Sequence, residues 1–167
     1  MERRFSQATH HIPMNLDEFE RLGEPDLVIA GLRVWIHGRQ FPQSVDYWDG
    51  NWLRVTAYSV YQDSMVRAHG SILHLGELAD LLRECEELYK TLQGSAALRC
   101  IEPNLAVELN AENGGCIRAR VSITPDHMNE SHSFEQEIDQ TYLPPIIGSC
   151  QAILGKFPIR DPEALAK

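Results

Sequence analysis

The sequence predicts an α+β domain: a mostly antiparallel sheet of about six to seven strands with two amphipathic helices packed on one face. Two observations lead there. Segments alternating apolar and polar residues follow one another through short turns, which enforces antiparallel pairing. Two longer segments carry apolar stripes at helical period, and each stripe must be buried against a shared apolar surface. A chain of 167 residues, 43% hydrophobic and 23% charged, has enough material for one core without cross-links. The expected organisation is an N-terminal extension over residues 1–26, one domain over 27–160 and a tail over 161–167. No internal sequence repeat, low-complexity tract or linker divides it.

The elements follow in order. Residues 1–12 are polar and unpatterned, as a loose terminus is. Leu16, Phe19 and Leu22 recur at a three-residue step, so a short helix is expected, with Asn15 as its cap, Gly23 as its stop and the edge or end of the core as its place. Leu32, Val34 and Ile36 alternate with Arg33, Trp35 and His37 in a first strand region over 27–40. Leu53, Val55 and Ala57 mark a second strand, Gln62-Asp63-Ser64 a turn, and Val66, Ala68, Gly70 and Ile72 a third strand. Leu75, Leu78, Leu81, Leu82, Cys85, Leu88, Tyr89 and Leu92 form one helical stripe, with Gly94 as the stop.

Strands are then expected over 97–101, around Leu105, Val107 and Leu109, and around Ile117, Ala119, Val121 and Ile123. Asn113-Gly114-Gly115 is the hairpin signal between the last two. Phe134, Gln136 and Ile138 give a further strand one face, with Glu135, Glu137 and Asp139 on the other. Leu143 to Lys156 reads as the last helix, with Pro144 and Pro145 in its first turn.

Charge narrows the partners. Lys plus Arg is 15 and Asp plus Glu is 24, a net charge of −9, which argues against binding nucleic acid or an anionic membrane surface. It suits a basic partner, whose approach a negative surface accelerates. The four cysteines, at 85, 100, 116 and 150, include no Cys-x-x-Cys step, so they read as small reduced core residues rather than a zinc site. With no apolar run of signal-peptide or membrane-spanning length, the expectation is a soluble cytoplasmic protein.

No hydrolase elbow, phosphate loop or His-Glu-x-x-His occurs, and the seven histidines have no chelating neighbours in sequence. The densest feature is Asp46-Tyr47-Trp48-Asp49-Gly50-Asn51-Trp52-Leu53, which joins anchoring aromatics to turn-forming residues. Three readings of it stand side by side. Asp46 and Asp49 cap backbone amides of an ordered corner while Glu102 bonds backbone beside Pro103; or Asp46, Asp49 and Glu102 gather as a metal or acid/base cluster of an enzyme; or Trp48 and Trp52 line a small-molecule pocket. No nucleophile or base completes a site, which favours the structural role. The stretch from Asp126 to Asp139 holds five acids and no Lys or Arg. It is either a surface kept for a basic partner or a strand edge protected by its charges.

The corner motif, the helix around Leu78, Glu102-Pro103-Asn104-Leu105 and Phe157-Pro158-Ile159-Arg160 occur in an order that resembles the WapI-like immunity proteins. These are small bacterial proteins that protect a cell from contact-delivered toxins. The resemblance spans roughly residues 27–160. It implies non-enzymatic, stoichiometric binding of a cognate toxin's C-terminal domain, often a basic nuclease, with no catalytic residue, cofactor or metal. It assigns no contact residues. From the charge pattern, Glu135, Glu137 and Asp139, with Glu84 and Glu87, are the expected partner-binding set, while Asp46, Trp48, Asp49, Trp52 and Glu102 are expected to be structural.

Overall fold

A computed structural model describes residues 16–162, with side chains from residue 19 onward. The expectations for residues 1–12, His10, His11, the Asn15 cap and most of the C-terminal tail lie outside the described residues. The short helix α1 spans Leu16–Arg21. Four strands follow: β1 Leu27–Ile29, β2 Leu32–Arg39, β3 Trp52–Tyr61 and β4 Ser64–His74. Helix α2 is Leu75–Thr91. Then come β5 Ser95–Arg99, β6 Leu105–Ala111, β7 Cys116–Ile123 and β8 Ser133–Asp139, and helix α3 Leu143–Lys156 closes the order.

The fold class is α+β, but among the described residues the strands number eight and form two antiparallel sheets, β1-β2-β3-β4 and β5-β6-β7-β8, rather than one sheet of six or seven. Two causes separate expectation from structure. The first strand region is a tight hairpin, turned by Ala30 at φ 51 and Gly31, so it supplies two strands. The helix between β4 and β5 lies along the outer edge of β5, which therefore cannot join the first sheet. On α2, Glu84 Oε2 accepts from the Ala97 amide of β5 at 2.9 Å, and Glu77 Oε1 accepts from the Ile101 amide just beyond it at 2.8 Å. Carboxylates thus satisfy edge amides that would otherwise seek another strand.

The chain is a topological repeat: four meandering strands and a helix, twice. Helices α2 and α3 pack side by side, α2 against β5 and α3 against β1. Each half's helix thus meets the first strand of the other half. One apolar cluster joins both sheets and both helices, with Leu53, Val55, Leu78, Leu81, Val107, Leu109, Ile146 and Ile153 among its members. Each such side chain, fully buried, contributes roughly 1.5–3 kcal/mol before entropy is counted.

Local sequence explains the element ends. In α2 the stripe is buried at Leu75, Leu78, Leu81, Cys85 and Leu88 and half-buried at Leu82, but Tyr89 and Leu92 are exposed. The helix stops at Leu92 in the left-handed conformation, φ 51, two residues before Gly94. Its start is capped by His74: the ring Nδ1 accepts from Gly76 N at 3.1 Å, and the Glu77 carboxylate accepts from His74 N at 2.9 Å. The Phe19 ring of helix α1 meets Trp35 and Tyr58 edge-on at 5.3 and 5.4 Å, covering part of the outer face of the first sheet.

Candidate functional site

The aromatic corner connects β2 to β3 and is stitched from both sides. Asp46 Oδ1 accepts from Asp49 N at 2.8 Å, and Ser44 Oγ donates to Asp46 Oδ2. These hydrogen bonds, Ser44 first, hold the Asp46 carboxyl below its ordinary range. Its lone pairs are therefore committed to folding the turn. Asn51, 0% exposed, is the central fastener. Its Nδ2 donates to Tyr47 O at 2.7 Å and to Arg160 O at 2.8 Å, while Oδ1 accepts from Arg160 N at 2.9 Å. Arg39 donates to Asn51 Oδ1 at 3.2 Å and to the carbonyls of Gly50 and Pro158. The Arg160 guanidinium donates to Pro42 O at 2.9 Å and to Ser44 O. The Phe157-Pro158-Ile159-Arg160 segment is thus bound to a corner more than a hundred residues earlier.

His74 ties the same corner to α2. Because its Nδ1 accepts from Gly76, the proton sits on Nε2, which donates to Tyr47 O at 3.1 Å. The rings of Tyr47, Trp48 and Trp52 all meet the His74 ring, at 5.2, 5.8 and 5.2 Å between centroids. The Tyr47 hydroxyl lies where a Cβ on Gly76 would be, 2.5 Å away, so that glycine admits the ring. Trp52 is partly covered; Trp48 is 61% exposed. The two tryptophans do not face each other over a cavity but meet one imidazole. Open depressions of about 470 and 420 Å³ lie elsewhere, one beside Tyr89, Gln140, Thr141 and Pro144, the other beside Gly31, Arg33, Tyr61 and Gln136.

The expected contact residues fall into distinct surroundings. Glu135 stands opposite Arg120 on β7 and accepts from its Nε at 2.8 Å, with Glu108 of β6 on the other side of the same guanidinium at 3.9 Å. The Arg120 hydrogen bond and charge hold the Glu135 carboxyl low. Asp139 accepts from Thr141 N at 2.8 Å and caps the turn before α3. Glu84 holds the β5 edge and Arg99. Glu137 and Glu87 are exposed on β8 and α2. The acids of β8 thus stand beside Arg118 and Arg120, which the run from Asp126 to Asp139 does not contain.

Among the described residues, Asp46, Asp49 and Glu102 do not converge into a metal-ligand group. One group does: single donor atoms of Glu112, Cys116 and Glu137 lie within 4.8 Å of one another. Glu112 is already paired with Arg118 at 2.8 Å. All four thiols titrate above their ordinary range, Cys85 and Cys150 at about 12, with burial the leading cause. A thiol so shifted is a poor nucleophile at neutral pH.

The family model described as immunity protein WapI-like family matches residues 27–158, from β1 to the residue that Arg39 holds. The chain belongs to the WapI-like immunity protein family. No curated protein matches it. The matched WapI-like segment contains the whole corner, α2, both sheets and α3. The fastening roles of Asn51, His74, Arg39 and Arg160 depend on partners distant in sequence. One signal for His74 was present: His74-Leu75-Gly76-Glu77 places an acceptor and a glutamate three residues apart, before an apolar helical stripe, as a capping box does. Among the described residues no helix is long and apolar enough to cross a membrane.

Proposed function

We propose that this protein is a cytoplasmic immunity protein that neutralises a basic bacterial toxin domain by stoichiometric binding, without catalysis. The observation carrying this reading is the family match over 27–158. The net charge of −9 supports a basic protein partner. The contact set expected from sequence is Glu135, Glu137, Asp139, Glu84 and Glu87. Within it, Glu137 and Glu87 carry the steering role best, because Glu84, Glu135 and Asp139 are engaged in internal bonds.

The test is protection. A toxin C-terminal domain from the same genome is expressed in a susceptible bacterium, with and without this protein. Survival only in its presence supports the reading, and equal killing in both refutes it. Charge reversal at Glu137 and Glu87 is expected to slow association several-fold and to flatten its salt dependence. Association unchanged by the reversal would remove these two acids from the interface.

A further inference from the structure

Of the twelve exposed large apolar side chains among the described residues, seven are scattered over strands, helices and other loops, and five gather in the corner and the segments bonded to it. Phe41, Val45, Trp48, Ile101 and Ile159 are all exposed, and all belong to the corner or to the segments bonded to it. Arg160 links the backbone of Phe41–Ser44 to that of Ile159, and Glu77 links the Ile101 amide to His74, on which Trp48 rests. Apolar side chains exposed on segments fastened to one another are candidates for a contact surface. Tryptophan on a fixed backbone is a preferred anchor, since little freedom is lost when a partner covers it.

The charges beside these residues have one free sign. Arg39 and Arg160 direct their guanidiniums to carbonyls of the corner and of its C-terminal segment, and the Asp46 carboxylate is committed to the turn, whereas Asp49, next to Trp48 in sequence, stands exposed. An indole face bordered by carboxylates is complementary to a guanidinium or ammonium group.

We propose that the Trp48 corner is the docking surface for the partner, holding an arginine or lysine of a basic protein against the indole, with Asp49 at the rim. This rests on the immunity reading above. It divides the work between two regions: exposed acids elsewhere govern encounter, and the corner governs how long the complex lasts.

Kinetics with the same purified toxin domain separate the two. Trp48→Ala is expected to raise the dissociation rate about tenfold or more, with association changed less than about threefold. Asp49→Lys, whose side chain lies at the surface, provides a second variant with the same expected direction. If wild-type protein binds and both variants dissociate within about threefold of it, the corner is not the docking surface and the immunity reading stands. A wild-type protein that binds no toxin refutes the immunity reading first.

An arm without toxin uses a hexa-arginine peptide and the three indole N–H resonances of ¹⁵N-labelled protein. The Trp48 signal should shift most, that of buried Trp35 should stay, and Asp49→Lys should suppress the shift. An unmoved Trp48 signal contradicts the proposed chemistry. A dimer in sedimentation that Trp48→Ala dissociates would assign the patch to a second copy, and would also overturn the proposal.

Discussion

At the scale of single residues, buried polar groups determine this molecule more than its exposed acids do. Asn51 joins a turn, a strand end and the C-terminal segment through one amide. Replacing it with Ala leaves the Arg160 N–H and carbonyl without their partner and Tyr47 O with the His74 bond alone. Each buried unsatisfied group costs roughly 1–3 kcal/mol. We expect Asn51→Ala to lose about 3–5 kcal/mol in urea unfolding, in the upper range for a single substitution. A loss below about 1 kcal/mol would show that the corner is held by other contacts. The sequence motif made the turn legible, because Asp, Gly and Asn have known turn chemistry. It did not separate Trp48 from Trp52, since solvent exposure depends on where His74 and the C-terminal segment arrive, and both are distant in sequence.

At the scale of elements, periodicity identified strands and helices well wherever one face is buried. Helix α3 lies over the range its stripe marks out, and β8 presents Phe134, Gln136 and Ile138 inward as its alternation indicates. What alternation does not encode is which strands share a sheet. That is set here by α2, whose carboxylates occupy the β5 edge. Glu84→Ala would leave the Ala97 amide bare at a partly buried edge and release Arg99. The expected loss is about 1–3 kcal/mol by denaturant unfolding, with faster hydrogen exchange at Ala97. Unchanged exchange there would mean that α2 shields the edge by packing alone. The arginines facing β8 come from β7, the neighbouring strand of a hairpin, so the charge balance of that face is a property of register and not of the acidic run itself.

At the scale of the whole molecule, two four-stranded sheets, each followed by a helix, share one core, with the corner fastening start, middle and end. Stability should depend on pH in two directions. Burial raises the Glu77 carboxyl above 4.5, so its contribution is full below that value and is lost as pH rises through the folded pKa. Side-chain hydrogen bonds lower Asp46, Asp126 and Asp139 below 3.8, so theirs is present above that value and lost as pH falls through the folded pKa values. Thermal unfolding followed by circular dichroism should therefore show a midpoint that rises from neutral pH toward about 4.5 and falls below about 3.8. A midpoint that only falls from neutral pH downward would contradict the sign assigned to Glu77.

The central claim is that a WapI-like immunity protein of this composition acts by binding, one molecule to one toxin domain, and not by chemistry. Calorimetric titration of this protein into the toxin C-terminal domain it protects against, with toxin activity measured at each point, tests this directly. The account predicts saturation at a 1:1 ratio, with activity falling in proportion to the complex formed. Inactivation that is complete at a small fraction of that ratio would show turnover, and would contradict it.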